Sequence, residues 1–257
     1  MKIVDTHCHP QFPQYDSDRE EIIKRAFNND IGIICVGTDL ERSKQAIELA
    51  SKHESIWASV GLHPNDNLGE AFDPEEYYLL AQNKKVVAIG EVGLDYYRTK
   101  KLENQHFQKK RFIKQIQLAS ELNLPLIIHC RDAHQDMINL LTASRSSLSD
   151  NPGVIHSFTG TWENAKKYID LGFYIGFNGI ITFARQYDEI VINTPFDKTL
   201  LETDAPYLTP ELYRGKKNEP VYIKYVAEKI AELRKISVEE IAEQTTQNAK
   251  TLFKLNV

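Results

Sequence analysis

Eight short apolar runs recur along the whole chain, each separated from the next by an amphipathic stretch or a turn. They are Lys2–Asp5, Gly32–Val36, Ile56–Val60, Val86–Gly90, Leu126–His129, Val154–His156, Phe173–Gly176 and Leu200–Glu202. Most are uninterrupted rather than alternating, the pattern of parallel strands covered on both faces. The intervening stretches carry apolar residues at helical spacing. Asp18 to Asn29 places Ile22, Ile23, Ala26 and Phe27 on one stripe, and Leu40 to His53 and Glu103 to Leu122 do the same. Pro74 with Glu75 and Glu76 suits a helix start. Helices are also expected over Thr161 to Leu171 and Pro220 to Leu233, and Ser237-Val238-Glu239-Glu240 is a capping box opening a last one. Eight strands alternating with helices over 257 residues predict an α/β fold, a TIM (β/α)8 barrel, with residues 1–257 forming a single domain. The competing architecture is a doubly wound open sheet, but no G-x-G-x-x-G follows the first strand.

Barrel enzymes place their chemistry where the strands end, so the residues at those ends come next. The first run leads into His7 and His9, two imidazoles at alternate positions of an extended segment and so on one side of it. The third leads into His63, the fourth into Glu91, the fifth into His129-Cys130-Arg131-Asp132, the sixth into His156, and the eighth into Glu202-Thr203-Asp204. Five of the eight histidines thus lie at strand ends. Burying imidazoles and carboxylates there is costly unless they are paired or bind metal. His7, His9, Glu91, His129, His156 and Asp204 exceed what one tetrahedral ion needs. They suit two divalent ions about 3.5–4 Å apart, with Glu91 as the natural bridge and Asp204 placed to take a proton from an attacking water. His63 is read as a contact to substrate phosphate. His53, His106 and His134 read as structural, and Cys8 and Cys130 as small core residues on the opposite faces of their strands.

Three cysteines with no CxxC pair suit a reducing cytoplasm. No apolar run approaches the roughly 20 residues of a membrane helix, and the first residues lack signal-peptide anatomy, so a cytoplasmic protein without a membrane partner is expected. The net charge is −5, which disfavours a broad nucleic-acid footprint but allows a local basic cleft.

The strand-end stretches resemble the TatD family of metal-dependent deoxyribonucleases, within the metal-dependent, amidohydrolase-type hydrolase superfamily. The resemblance runs from Asp5-Thr6-His7-Cys8-His9 through Gly61-Leu62-His63-Pro64, Gly90-Glu91-Val92-Gly93-Leu94-Asp95-Tyr96, His129-Cys130-Arg131-Asp132-Ala133 and His156-Ser157-Phe158-Thr159-Gly160 to Glu202-Thr203-Asp204-Ala205-Pro206 and Gly215-Lys216-Lys217-Asn218-Glu219-Pro220. His-x-His occurs across the superfamily; the Gly-Glu-x-Gly-Leu-Asp and Glu-Thr-Asp-x-Pro stretches are far more specific. The resemblance implies metal ligands at His7, His9, Glu91, His129, His156 and Asp204, and a substrate-phosphate position at His63. It also implies a TIM barrel, divalent-metal dependence and hydrolysis of DNA, often as a 3′ exonuclease.

The expected function is therefore hydrolysis of DNA phosphodiesters, at the 3′ ends of single strands and with RNA as a further substrate. Asp204, Glu91 and His63 carry the catalysis, with two Mg²⁺ or Mn²⁺ ions, or Zn²⁺, as cofactors. Arg131, Arg98 and Tyr96, and beyond the eighth strand Arg214, Lys216 and Lys217, are the candidate substrate contacts, in a chain expected to act as a monomer. An aminoacyl-tRNA deacylase or small-molecule amidohydrolase would use the same metals, and a non-catalytic binding module in a DNA repair or degradation complex would need none of the catalytic set.

Overall fold

A computed structural model describes residues 3–65 and 72–256. Eight strands follow one another in strict order around the sheet: β1 (Ile3–Cys8), β2 (Ile31–Val36), β3 (Ile56–Val60), β4 (Val86–Asp95), β5 (Leu126–Arg131), β6 (Gly153–Ile155), β7 (Tyr174–Phe177) and β8 (Thr199–Leu201). Every neighbouring pair is parallel. The TIM barrel is therefore observed. It closes between β8 and β1 at the site end, where the Asp204 amide donates to the His7 carbonyl at 2.8 Å and the His9 amide to the Ala205 carbonyl at 2.8 Å. Helices α1 (Arg19–Phe27), α2 (Leu40–Ser51), α3 (Pro74–Ala81), α4 (Leu102–Leu122), α5 (His134–Ala143), α6 (Trp162–Asp170), α7 (Asp188–Asn193), α8 (Ile223–Arg234) and α9 (Val238–Phe253) complete the chain. Among the described residues no helix is long and apolar enough to cross a membrane.

Several boundaries differ from the apolar runs. Strand β1 reaches Cys8, β4 reaches Asp95 and β5 reaches Arg131, because ladder hydrogen bonds continue into polar residues that hydrophobicity cannot mark. Lys2 of the first expected strand lies outside the described residues. The expected Pro220–Leu233 helix is a 3₁₀ turn over Pro220–Tyr222 followed by α8.

Two apolar layers hold the barrel. One lies between the strands and the surrounding helices. The other fills the lumen with Val4, Ile34, Val36, Ile127, Val154, Tyr174 and Leu200, and is joined by Ala249, Leu252 and Phe253 of α9. Helix α9 thereby plugs the end of the barrel away from the strand termini. Its start is fixed by the capping box, with the Ser237 amide donating to Glu240 Oε2 at 2.9 Å and the Glu240 amide to Ser237 Oγ at 3.2 Å.

The lumen layer positions the site through the two-residue period of a strand. Ile127 points inward, and so does His129 one pleat further on; Val154 leads to His156 in the same way, Leu200 to Glu202, and Tyr174 through Gly176 to Asn178. On two strands the period is broken on purpose. Between Asp5 and Cys8, β1 holds one residue more than β2 opposite, and between Gly90 and Val92, β4 holds one more than β5. Such bulges re-aim a side chain. The first lets His7 share the lumen with Val4, and the second sets Glu91 on the barrel axis side.

Candidate metal centre

The strand ends bring seven imidazole or carboxylate side chains of the expected set to one place. His7, His9, His63, Glu91 and His156 are buried, and His129 and Asp204 are nearly so. Glu91 stands at the centre. Its Oε2 lies 3.4 Å from His7 Nε2 and 3.9 Å from His9 Nε2, while its Oε1 lies 2.9 Å from His129 Nδ1, 3.1 Å from His156 Nε2 and 3.6 Å from His63 Nε2. Asp204 Oδ1 sits 3.7 Å from His7 Nε2 and 3.5 Å from His9 Nε2. One carboxylate oxygen thus faces each half of the cluster.

Several features fit a metal. His7 Nε2 and His9 Nε2 lie 3.3 Å apart, aimed at a common point. Compact triads of donor atoms recur here: His7, His9 and Asp204; His63, Glu91 and His129; His7, His156 and Glu202. No lysine or arginine stands among them. The electrostatics agree. Burial alone would raise the Glu91 carboxyl, but His63, His156 and His7 hold it well below the usual carboxylate range. Burial also works against Asp204, and the His9 hydrogen bond with the nearby imidazoles holds it low. Burial opposes a proton on His156, yet Glu202 and Glu91 push it well above the ordinary imidazole value, and Asp95 and Glu91 push His129 up. His7 is lowered, chiefly by burial and by His156. Protons on imidazoles supply the positive charge this acidic cluster demands, and a divalent cation would replace them.

Partners behind the cluster orient it. Asp95 Oδ2 lies 3.1 Å from His129 Nε2, leaving Nδ1 toward Glu91. Glu202 Oε1 lies 3.3 Å from His156 Nδ1 and accepts the Ser157 amide at 2.6 Å. The Val36 carbonyl accepts from His9 Nδ1 at 2.8 Å. Asp5 grips the β8 end by accepting the Thr203 amide at 2.9 Å and the Thr203 hydroxyl at 2.5 Å. His63 Nδ1 accepts the Asn65 amide at 3.2 Å, which leaves the proton on Nε2, pointing toward the cluster. The backbone is drawn tight around these groups. Ser157 and Asp204 adopt left-handed φ of 46° and 56°, a strain that concentrates at functional sites. Gly93 has φ 140°, and a Cβ there would collide with the His129 carbonyl oxygen.

Asp95, Glu202 and Asp5 were not picked out by sequence reasoning. The available signal was local: each is an acid lying within four residues of an expected ligand in the same motif.

The basic and aromatic residues divide. Arg131 is exposed and lies over the exposed Tyr97 ring at 3.9 Å. Tyr96 instead donates its hydroxyl to Asp136 at 2.8 Å, because a half-buried phenol needs a partner. Arg98 is exposed, its amide bonded to Asp95 at 2.8 Å. Arg214 lies over Phe183 at 4.1 Å and Lys216 over Tyr213 at 5.6 Å. Lys217 is tied to Asp18 at 2.7 Å and to the Gln14 carbonyl at 2.9 Å. His53, read as structural, lies just past α2 against Phe27 at 5.4 Å. Cys130 and His134 form a buried cluster with Tyr168 behind β5.

Comparison with known proteins bears on the activity. The chain is 44% identical over 262 residues to the uncharacterized metal-dependent hydrolase YabD of Bacillus subtilis, covering 99% of this chain and 100% of that one. It is 37% identical over 250 residues to the 3'-5' ssDNA/RNA exonuclease TatD of Shigella flexneri, covering 93% and 94%. Among solved structures, the TatD homologue YJJV of Escherichia coli superposes with a TM-score of 0.91 at 31% identity, over 99% of this chain and 98% of that one. The family profile described as TatD related DNase matches residues 4–254. The chain thus belongs to the TatD-related DNase family, and it is a metal-dependent hydrolase.

Proposed function

We propose that this chain is a divalent-cation-dependent phosphodiesterase that shortens single-stranded DNA from its 3′ end, with RNA as a second substrate. The observation that carries the reading is the Glu91 carboxylate, whose two oxygens face two separate groups of ligands. His7, His9 and Asp204 with Glu91 Oε2 would hold one cation. His129 and His156 with Glu91 Oε1 would hold the other. Such ions supply Lewis acidity toward a phosphoryl oxygen and lower the pKa of a water.

The chain's own groups do the rest. Asp204 is ionised at neutral pH because its neighbours hold its carboxyl low, so it can take the proton of the attacking water. His63 presents Nε2–H toward the cluster and donates to a non-bridging phosphoryl oxygen. As the water oxygen bonds to phosphorus, the bond from phosphorus to the sugar oxygen breaks, and that oxygen takes a proton from solvent. Arg131, Arg98 and Lys216, exposed at or beyond the ends of β5, β4 and β8, would contact the phosphate backbone. The kinship to a 3'-5' ssDNA/RNA exonuclease supports polarity and substrate.

The test is chelator-stripped protein given Mg²⁺, Mn²⁺ or Zn²⁺ separately, with single-stranded DNA labelled at its 5′ end. A metal-dependent ladder shortening from the 3′ end is expected, and its loss by at least a hundredfold in Glu91→Gln and Asp204→Asn. Intact DNA under every metal would overturn the nuclease reading in favour of an ester or amide substrate. Full activity in either variant would remove its assigned residue.

A further inference from the structure

On the same rim of the barrel as the candidate metal centre, a cavity of about 460 Å³ opens between the loop after β7 and the loop after β8. Ile180, Phe183, Tyr187, Leu208, Arg214 and Gly215 form most of its wall. The wall carries one cation and no carboxylate. Two of these lining side chains stack on one another, the Arg214 guanidinium lying 4.1 Å over the Phe183 ring.

Both walls are anchored in the site itself. Asn178, immediately before the β7 loop, donates to Ser157 Oγ at 2.8 Å and to Glu202 Oε1 at 3.4 Å. Asp204 stands in the segment after β8, and its carbonyl accepts the Tyr207 amide at 2.8 Å. Leu208 follows four residues after Asp204, so the cavity wall begins within about 14 Å of chain from the proposed proton acceptor, and less because that segment turns. The two loops are fixed to one another. The Glu211 amide donates to Thr182 Oγ1 at 2.8 Å, and Gly179 packs so tightly against the Leu208 carbonyl that a Cβ would collide with it. The cavity is therefore preformed, as ligand pockets generally are.

We infer that this cavity is a nucleobase subsite, taking the base next to the scissile phosphate, stacked on the Arg214–Phe183 pair. The inference rests on the phosphodiesterase reading above. A largely apolar lining with the Phe183 and Tyr187 rings and one delocalised cation matches a planar, neutral, acceptor-bearing ring, and bases stack on guanidinium planes and aromatic faces alike. Stacking is indifferent to base identity, which an enzyme that shortens strands of any sequence requires. Arg214 acts here through its flat face, not as a backbone phosphate contact.

The test is binding to the metal-loaded protein of a fluorescent product-like mononucleotide, 2-aminopurine deoxyriboside 5′-monophosphate, against deoxyribose 5-phosphate as the base-free competitor. Quenching is expected, with the mononucleotide bound more tightly than the sugar phosphate. Phe183→Ala and Arg214→Gln should each raise the mononucleotide Kd roughly 5- to 30-fold and leave that of deoxyribose 5-phosphate unchanged. Arg214 is exposed, so its variant keeps the test open if Phe183→Ala fails to fold. Equal affinity for the two ligands, or a wild-type mononucleotide Kd in Arg214→Gln, would overturn the subsite. Failure of the nuclease reading would show separately, as intact DNA in the cleavage assay.

Discussion

A buried carboxylate among imidazoles is stable only as part of a charge-matched set, and Glu91 shows how that set is assembled. Each of its oxygens answers to different histidines, so no neighbour can be removed without leaving an uncompensated group. The acids behind the ligands matter for the same reason. Burial works against the Asp95 carboxyl, but the His129 hydrogen bond and the Arg98 amide hold it down to about 2, so it faces His129 as an anion. Asp95→Asn keeps the shape and removes the charge. The affinity of chelator-stripped protein for Mn²⁺ at the His129 half should then fall about 10- to 100-fold, read by metal titration; an unchanged isotherm would deny Asp95 this role. His134 offers a second residue-scale measurement. Burial pushes its imidazole down to about 4 from an ordinary value of 6.5. Between those pH values the unfolded chain binds a proton that the folded chain does not, so the stability His134 contributes is complete above pH 6.5 and is lost as pH falls toward 4. His134→Gln should therefore lose less stability than the parent between pH 7 and pH 5 in denaturant melts. Equal losses would contradict the assignment.

At the scale of elements, two departures from regularity do the positioning. Without the extra residue in β1, His7 would leave the lumen face; without the one in β4, Glu91 would point into the packing between strand and helix. A strand's apolar run predicts that it exists, while a bulge of one residue leaves no mark in hydrophobicity. Helix α9 illustrates the opposite case. Its capping box is legible at Ser237 and Glu240, and the helix forms where expected. Its task of closing the lumen is visible only in the contacts of Leu252 and Phe253. Phe253→Ala should cost about 3–5 kcal/mol of unfolding free energy, measured by chemical denaturation. Metal affinity per folded molecule should stay unchanged, because α9 packs at the far end of the barrel. A cost below about 1 kcal/mol would show that the plug is dispensable.

For the molecule as a whole, metal binding and folding are linked. The proposed ligands lie in β1, β4 and β5 or just beyond the ends of β1, β6 and β8, so the donors converge only when the barrel is closed. A cation that binds only the folded chain stabilises it by about 2.7 kcal/mol at a hundred times its Kd. The melting temperature should rise with Mn²⁺ concentration and fall with chelator, and Glu91→Gln should flatten that dependence; identical melts with and without metal would break the linkage. Much of this architecture is written locally. Apolar runs at regular spacing call for parallel strands, His7-Cys8-His9 places two imidazoles on one side of a strand, and the acids and histidines at strand ends mark the rim, since these signals depend on neighbours a few residues away. Closure decided the rest. Which oxygen of Glu91 meets which histidine, the backing of His129 by Asp95 and of His156 by Glu202, the turning of Tyr96 toward Asp136, and the cavity between the β7 and β8 loops all join residues far apart in the chain, and such distances are set by packing, register and bulges in three dimensions.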